Sequence, residues 1–425
     1  MSFEKTRNYD KYLQYRKLKH DWKVIYRNIN LVDACSVDLL DAMVLGHKAD
    51  YYHIACAMLQ RIHIKPLRKA FAQNTNIFTF AFPKRKDHLD LSRAYASSVK
   101  DSGWVMLKYF YTPYKSISRW LLFWRQVRSL PLSFSDIAFI AARMAGYSCV
   151  IDELEKQFAT IEINNKRFIP FCAPAYHEAV LTSFFRNKGV KTFCTVHGVF
   201  GRYLQLIAND IVNGENILSD YVLTFGEVQR QDLINDFEIN SDKVIVAGNP
   251  KYPYHRIQIK NTFSSCLILG GIGLYDNELR QLIIEADKVA ERRQIKMALK
   301  PHPLSKIEED DIWKQIKHIT LIDKSNTLTA LFESGEYDFA ITHNTFSYYE
   351  CMIAGLKPFR WEKNENINYK GLDDRFDSAE QLEQQIKNAE EADSNALSHE
   401  AEQLLVNVIG YGINNYNQII NGTLE

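Results

Sequence analysis

The sequence predicts an α/β protein built on parallel sheets, and three observations lead there. From about residue 145, short β-rich apolar runs alternate with charged, helical stretches. The 425 residues correspond to two or three domains at roughly 150 residues each. Hydrophobic residues make up 46% and charged residues 24%, which suits packed cores and excludes a disordered chain for most of the length.

The predicted strands are Phe168–Cys172, Lys191–Val196, Tyr221–Thr224, Lys243–Ala247, Ser265–Leu269, Ile295–Leu299, Ile319–Ile322 and Asp338–Thr342. Between them lie helical stretches at Tyr176–Asn187, Glu227–Phe237, Asp276–Arg293 and Leu328–Glu333. Buried strands alternating with helices at this spacing imply βαβ units and parallel sheets. Residues 1–135 read as mixed helix and strand, and no internal repeat is visible. Gly248-Asn249-Pro250 and the polar stretch Lys251–Thr262 after it mark a domain break. The expected division is 1–255, 256–375 and a helical tail at 376–425, placed to return to the first domain. Ser378 followed by Gln381 is a helix-start signal in that tail.

The formal net charge is +1, which argues against a nucleic-acid partner. Seven cysteines, widely spaced and without C-x-x-C, are neither a disulfide framework nor a zinc site. Reduced, buried thiols of a cytoplasmic protein are expected. The charged start, Met1 to Arg27, does not read as a secretory signal. No run of about 18 uncharged apolar residues predicts a membrane span. Aromatics reach 12%, a surplus that suits a core, a sugar site or a membrane interface.

Five loops after predicted strands carry the chemistry. His197-Gly198 follows the strand ending near Val196, with Arg202 beyond it as an expected acceptor or membrane contact. A histidine there either takes a proton from a hydroxyl or closes a strand end structurally. Gly248-Asn249-Pro250 is either a hinge or a plain turn. Gly270-Gly271 precedes a helix, so its backbone either admits a phosphate or simply turns. Lys300-Pro301-His302-Pro303 is stiffened by two prolines, which either aim Lys300 and His302 at a phosphate or make a rigid surface turn. His343-Asn344-Thr345-Phe346-Ser347 opens a helix that Gly355 closes, with Glu350 one turn in. That start suits a pyrophosphate and Glu350 suits ribose hydroxyls, while Ser347-x-x-Glu350 is also a capping box.

The order of these five loops resembles the GT-B superfamily. It is most similar to bacterial glycosyltransferases of capsule and lipopolysaccharide assembly, the HP-motif sialyl- and Kdo-transferase-like enzymes and the CDP-glycerol polyol-phosphate transferases. The resemblance spans about 190–360. It implies two Rossmann-like domains facing a central cleft. It implies donor contacts from Gly270, Gly271, Lys300, His302, Pro303, His343, Asn344, Thr345, Ser347 and Glu350, and His197 as the base. No Asp-x-Asp follows an apolar strand, so no metal and no cofactor are expected.

Ser102–Phe134 contains no acidic residue. Its Lys115, Arg119, Trp120 and Trp124 would meet an acceptor or the cytoplasmic face of the inner membrane, or form a buried helix with basic ends. The expected activity is inverting, metal-independent transfer of a sugar from a nucleotide-sugar donor. The acceptor is a hydroxyl of a surface polysaccharide or lipid-linked glycan. The alternatives are a polyol-phosphate transferase, a non-hydrolysing UDP-sugar 2-epimerase, and a non-enzymatic GT-B scaffold.

Overall fold

The apolar runs become two separate six-stranded parallel sheets in a computed structural model that describes residues 8–46, 48–82, 85–199, 214–271, 276–363 and 370–422. The chain divides into two units, Met1–Pro253 with Ile409–Glu425, and Tyr254–Val408.

The first unit opens with α1 (Tyr9–Asp21), the antiparallel pair β1 (Ile25–Tyr26) and β2 (Ile29–Asn30), and short helical turns to residue 45. Then come α2 (Tyr51–Leu59), β3 (Gln60–Ile62), α3 (Ile64–Gln73), β4 (Asn76–Phe80), α4 (Lys86–Ser97), β5 (Ser102–Met106) and β6 (Tyr109–Tyr111). Next are α5 (Ser116–Val127), α6 (Phe134–Phe158), β7 (Arg167–Pro170), α7 (Tyr176–Asn187), β8 (Lys191–Thr195), β9 (Tyr221–Thr224), α8 (Glu227–Phe237) and β10 (Val244–Val246). The sheet order is β10-β9-β8-β7-β4-β5, so the order reverses between β4 and β7. β3 and β6 pair antiparallel outside it.

The stretch expected as one aromatic, basic segment is thus strand, strand and helix. Part of the aromatic surplus serves the core: Phe71 packs on Phe158, Phe168 and Phe185, with ring centroids 4.4 Å apart for the last pair. Helix α6 is long and apolar enough to cross a membrane, yet 78% of that window is buried inside the protein. Its Arg143 forms a buried two-pronged bond to Asp38, at 3.1 and 3.2 Å. Removing either partner would strand a buried charge at about 3–5 kcal/mol.

The second unit runs β11 (Ser265–Leu269), α9 (Asp276–Arg293), β12 (Lys296–Lys300), β13 (Ile319–Leu321), α10 (Leu328–Glu333), β14 (Phe339–Thr342), α11 (Ser347–Ile353), β15 (Lys357–Trp361), β16 (Arg375–Phe376), α12 (Ala379–Glu391) and α13 (Ser394–Ile409). Its order, β13-β12-β11-β14-β15-β16, is the Rossmann arrangement 3-2-1-4-5-6. β15 escaped the sequence reading because Pro358, Lys357 and Arg360 argue against a central strand. Arg360 is buried there because its Nε bonds Asp374 at 2.7 Å. The expected cap at Ser378 forms, accepting from the Gln381 N–H at 3.4 Å.

The last helix, α14 (Tyr416–Gly422), packs in the first unit. Tyr416 is fully buried and donates to the Gly248 carbonyl at 2.7 Å.

Candidate functional site

Parallel strands end at one edge of their sheet, and ligands of such sheets sit where the strand order reverses. In the second unit that point lies between β11 and β14. Leu269 is in register with both Lys300 and Thr342, so three loops start at one level. They are Gly270-Gly271, Lys300–Pro303 and His343–Ser347.

Glycine is required at the first loop by close approach. A Cβ on Gly271 would lie 2.8 Å from the carbonyl oxygens of both His343 and Asn344. A Cβ on Gly270 would meet Leu279 of α9 at 2.9 Å. Residues 272–275, which lead into α9, lie outside the described residues. Asp276, at the start of α9, accepts from Ser305 Oγ at 2.7 Å and from the Lys306 N–H at 3.1 Å. It thereby fixes the end of the proline-flanked loop. Within that loop the Leu304 N–H donates to His302 Nδ1 at 3.1 Å. A neutral His302 ring therefore carries its proton on Nε2. Lys300 is half-buried, and burial lowers its pKa against the pull of Asp323. Pro303 is exposed.

The third loop turns through Asn344, whose φ of 49° is left-handed. Both polar atoms of its amide are shielded from water with no hydrogen-bond partner among the described residues. His343 is buried, and burial pushes its pKa down to about 4, so the ring is neutral at pH 7. Thr345 Oγ1 accepts from the Ser347 N–H at 3.3 Å. Ser347 is therefore the first residue of α11, with Phe346 before it as the cap, and it does not act as the capping residue of a capping box. Tyr348 and Tyr349 are buried, and Tyr349 donates to the Lys370 carbonyl at 2.7 Å. This leaves Ser347 and Glu350, three apart, on the less buried face of α11. Gly355, at φ 81°, ends the helix. The Leu356 N–H returns to Cys351 and the Gly355 N–H to Met352, as a Schellman stop requires.

In the first unit the reversal lies between β4 and β7. Glu178 of α7 bridges it, fully buried, accepting from Thr79 Oγ1 at 2.7 Å and from the Phe171 and Cys172 N–H groups at 3.1 Å each. Burial pushes its pKa up to about 7. Its neighbour His177, also buried, sits against Tyr109 and Tyr147, and burial drives its pKa down to about 3.

His197 follows β8 at the same edge, half-buried. The carbonyls on either side of it are held: Tyr95 donates to Val196 at 2.5 Å and Gln229 to Gly198 at 2.7 Å. His88 of α4 lies 5.0 Å from the His197 ring. The sequence reading missed His88 and Glu178: His88 follows β4, which was not recognised, and Glu178 lies within a helix and not in a loop after a strand. Thr79 and Phe171 of the adjoining β4 and β7 edges are what bring them in. Arg202 lies outside the described residues.

Of the five residues expected to meet an acceptor or membrane, the four that are described divide. Arg119 is turned inward to Asp152 and Ser148. Trp120 donates to the Ala138 carbonyl at 3.0 Å, and Trp124 packs on Phe134 at 4.9 Å. Lys115 is exposed, at the head of α5. Among the described residues no cluster of three His, Cys, Asp or Glu has metal-binding geometry.

No known family model matches the sequence, and no curated protein does. Among solved structures the chain is similar to the UDP-GlcNAc 2-epimerase from Methanocaldococcus jannaschii. Identity is 11% and TM-score 0.48, over 81% of this chain and 98% of that one. It is also similar to TarM, at 13% identity and TM-score 0.41, over 63% of this chain and 55% of that one. The GtfA/B complex gives 12% identity and TM-score 0.41, over 60% and 56%. The chain thus spans about half the length of TarM.

Proposed function

We propose that the protein is an inverting GT-B-type glycosyltransferase using a nucleotide-sugar. The observation that carries this reading is the register of Leu269 with Lys300 and Thr342, which starts three donor-type loops at the reversal point of a Rossmann-ordered sheet. The pyrophosphate would lie against Gly270, Gly271, Thr345 and Ser347. Asn344 and His343 would shape the turn beneath it. Glu350 would accept from the ribose hydroxyls. As the acceptor oxygen attacks the anomeric carbon, the bond to the nucleotide phosphate breaks and the acceptor proton passes to His197. Lys300 and the Nε2–H of His302, held by Pro301 and Pro303, would bear the charge of the departing phosphate, with no metal or cofactor required. The acceptor would be a surface glycan or lipid-linked glycan, met at the cytoplasmic membrane face near Lys115, and no nucleic-acid partner is proposed.

His302→Ala is expected to weaken donor binding and transfer together, and wild-type values for both would sink that assignment. His197→Gln should lower kcat by about 10²–10⁴ with little change in donor affinity. A polyol-phosphate transferase is separated by a donor panel read as released nucleotide. A 2-epimerase would need free carboxylates at the first unit's reversal point. Glu178, the carboxylate there, is fully buried and occupied by three donors, which favours transfer. Incubation with UDP-GlcNAc alone tests this, because an epimerase needs no acceptor.

A further inference from the structure

A pocket of about 770 Å³ lies in the first unit, between the β3–β6 pair, the starts of α3 and α5, and the flank of α6. It uses none of the donor loops. At its wall stands Arg61, only 5% exposed. The guanidinium donates to the Met58 and Gln60 carbonyls at 2.9 and 2.8 Å and to Ser116 Oγ at 2.6 Å. Among the described residues no carboxylate pairs with it. A buried cation without a counter-ion is costly unless an anion completes it.

Most of the charged lining has the same sign. Lys65, Lys115 and Lys156 line the pocket and have no carboxylate partner among the described residues. Asp152 also lines it, but Arg27, Arg119 and Tyr26 already occupy its oxygens. Glu153 accepts from Gln157 at 2.7 Å. Both helix starts on the wall lack a side-chain cap, and neither has an acid in its first turn. The positive ends of their helix dipoles add to the potential.

The rim is apolar. Phe110 and Tyr114 border the mouth, and Tyr114 is 71% exposed. From Lys115 onward, α5 shows solvent Ile117, Leu121 and Leu122, at 58, 52 and 50% exposed. Arg125 of the same helix and Arg128, its C-cap, are exposed. Large aliphatic side chains half in water beside uncompensated cations complement a molecule that is anionic at one end and apolar at the other.

We propose that this pocket holds the phosphoryl group of an amphiphile, with its apolar part along Phe110, Tyr114 and the outer face of α5. Naming that amphiphile as the sugar acceptor rests on the transferase reading. Its binding does not.

The test is co-sedimentation of the full chain with phosphatidylcholine vesicles, with and without phosphatidic acid, in the absence of any nucleotide-sugar. Binding is expected only when phosphatidic acid is present, and should fall as salt rises. Lys65→Ala and Lys156→Ala should each weaken it about fivefold, and Lys156→Arg should restore it. The double variant Leu121→Asp, Leu122→Asp, both on an exposed face, should abolish it while circular dichroism stays unchanged. Failure to bind phosphatidic acid vesicles, or binding that ignores the two lysine variants, overturns the proposal. Glycerol phosphate bound in calorimetry without vesicle binding would assign the pocket to a soluble phosphorylated ligand and overturn it equally. Because no donor is present, the outcome is independent of whether sugar transfer is found.

Discussion

Glu178 and His177 are neighbours with opposite demands on pH. Burial raises the Glu178 carboxyl to about 7. The unfolded chain ionises it near its usual 4.5, so stability falls as pH rises from about 4.5 to 7, by roughly 3 kcal/mol in all. Burial holds His177 to about 3, so the unfolded chain takes up its proton first and stability falls as pH drops below about 6.5. In the wild type these slopes partly offset. Glu178→Gln should remove the first and expose the second: melting temperature would rise more steeply with pH between 4.5 and 6.5 and stay level above. A profile parallel to wild type would contradict the assignment. His343, lowered to about 4, has the same sign as His177, so His343→Gln should flatten the acid limb of the second unit between about pH 6.5 and 4. None of these environments was legible in the sequence. His343 follows a visible strand and was found. Glu178 and His88 depend on β4, a five-residue strand with no strong pattern around it.

At the scale of elements, the loops read best from the sequence were those with backbone chemistry of their own. Gly355 had to stop α11, and the prolines around His302 had to stiffen their turn. The helices Tyr176–Asn187 and Asp276–Arg293 have the expected ends because their polar and apolar residues alternate at helical period. The basic aromatic stretch was harder, since its composition fits a strand, a helix or an interface, and packing against α6 decides among them. α6 also packs closely on α2, through Gly146, where a Cβ would lie 2.4 Å from the Ala57 carbonyl. Gly146→Ala must push the helices apart. It should cost about 1–3 kcal/mol in urea unfolding, and a variant as stable as wild type would show that the contact is slack.

For the whole molecule, two sheets with separate cores explain why the α/β class was readable early: each βαβ repeat announces itself locally. The return of the chain end was harder to place, because it rests on contacts distant in sequence. Gly248 makes one of them, at φ 89°, where a Cβ would lie 1.9 Å from the Ile413 carbonyl. Asn417 accepts from the Lys100 N–H at 2.9 Å, and Asn421 from Asn76 Nδ2 at 2.8 Å. Tyr416→Ala should therefore destabilise the first unit by about 3–5 kcal/mol and leave amide exchange in the second unchanged. Loss of protection in both would refute this.

That return has a consequence for biosynthesis. The second unit is, in chain terms, an insertion between Pro253 and Ile409 of the first. On a ribosome, the sheet that emerges earliest stays without α14 until the whole insertion has been made, about 10–30 s at roughly 5–20 residues per second. The Tyr416 seat and the Asn76 side chain at the start of β4 wait open through that interval. The later-born unit, continuous in sequence, can finish folding before the earlier one is sealed.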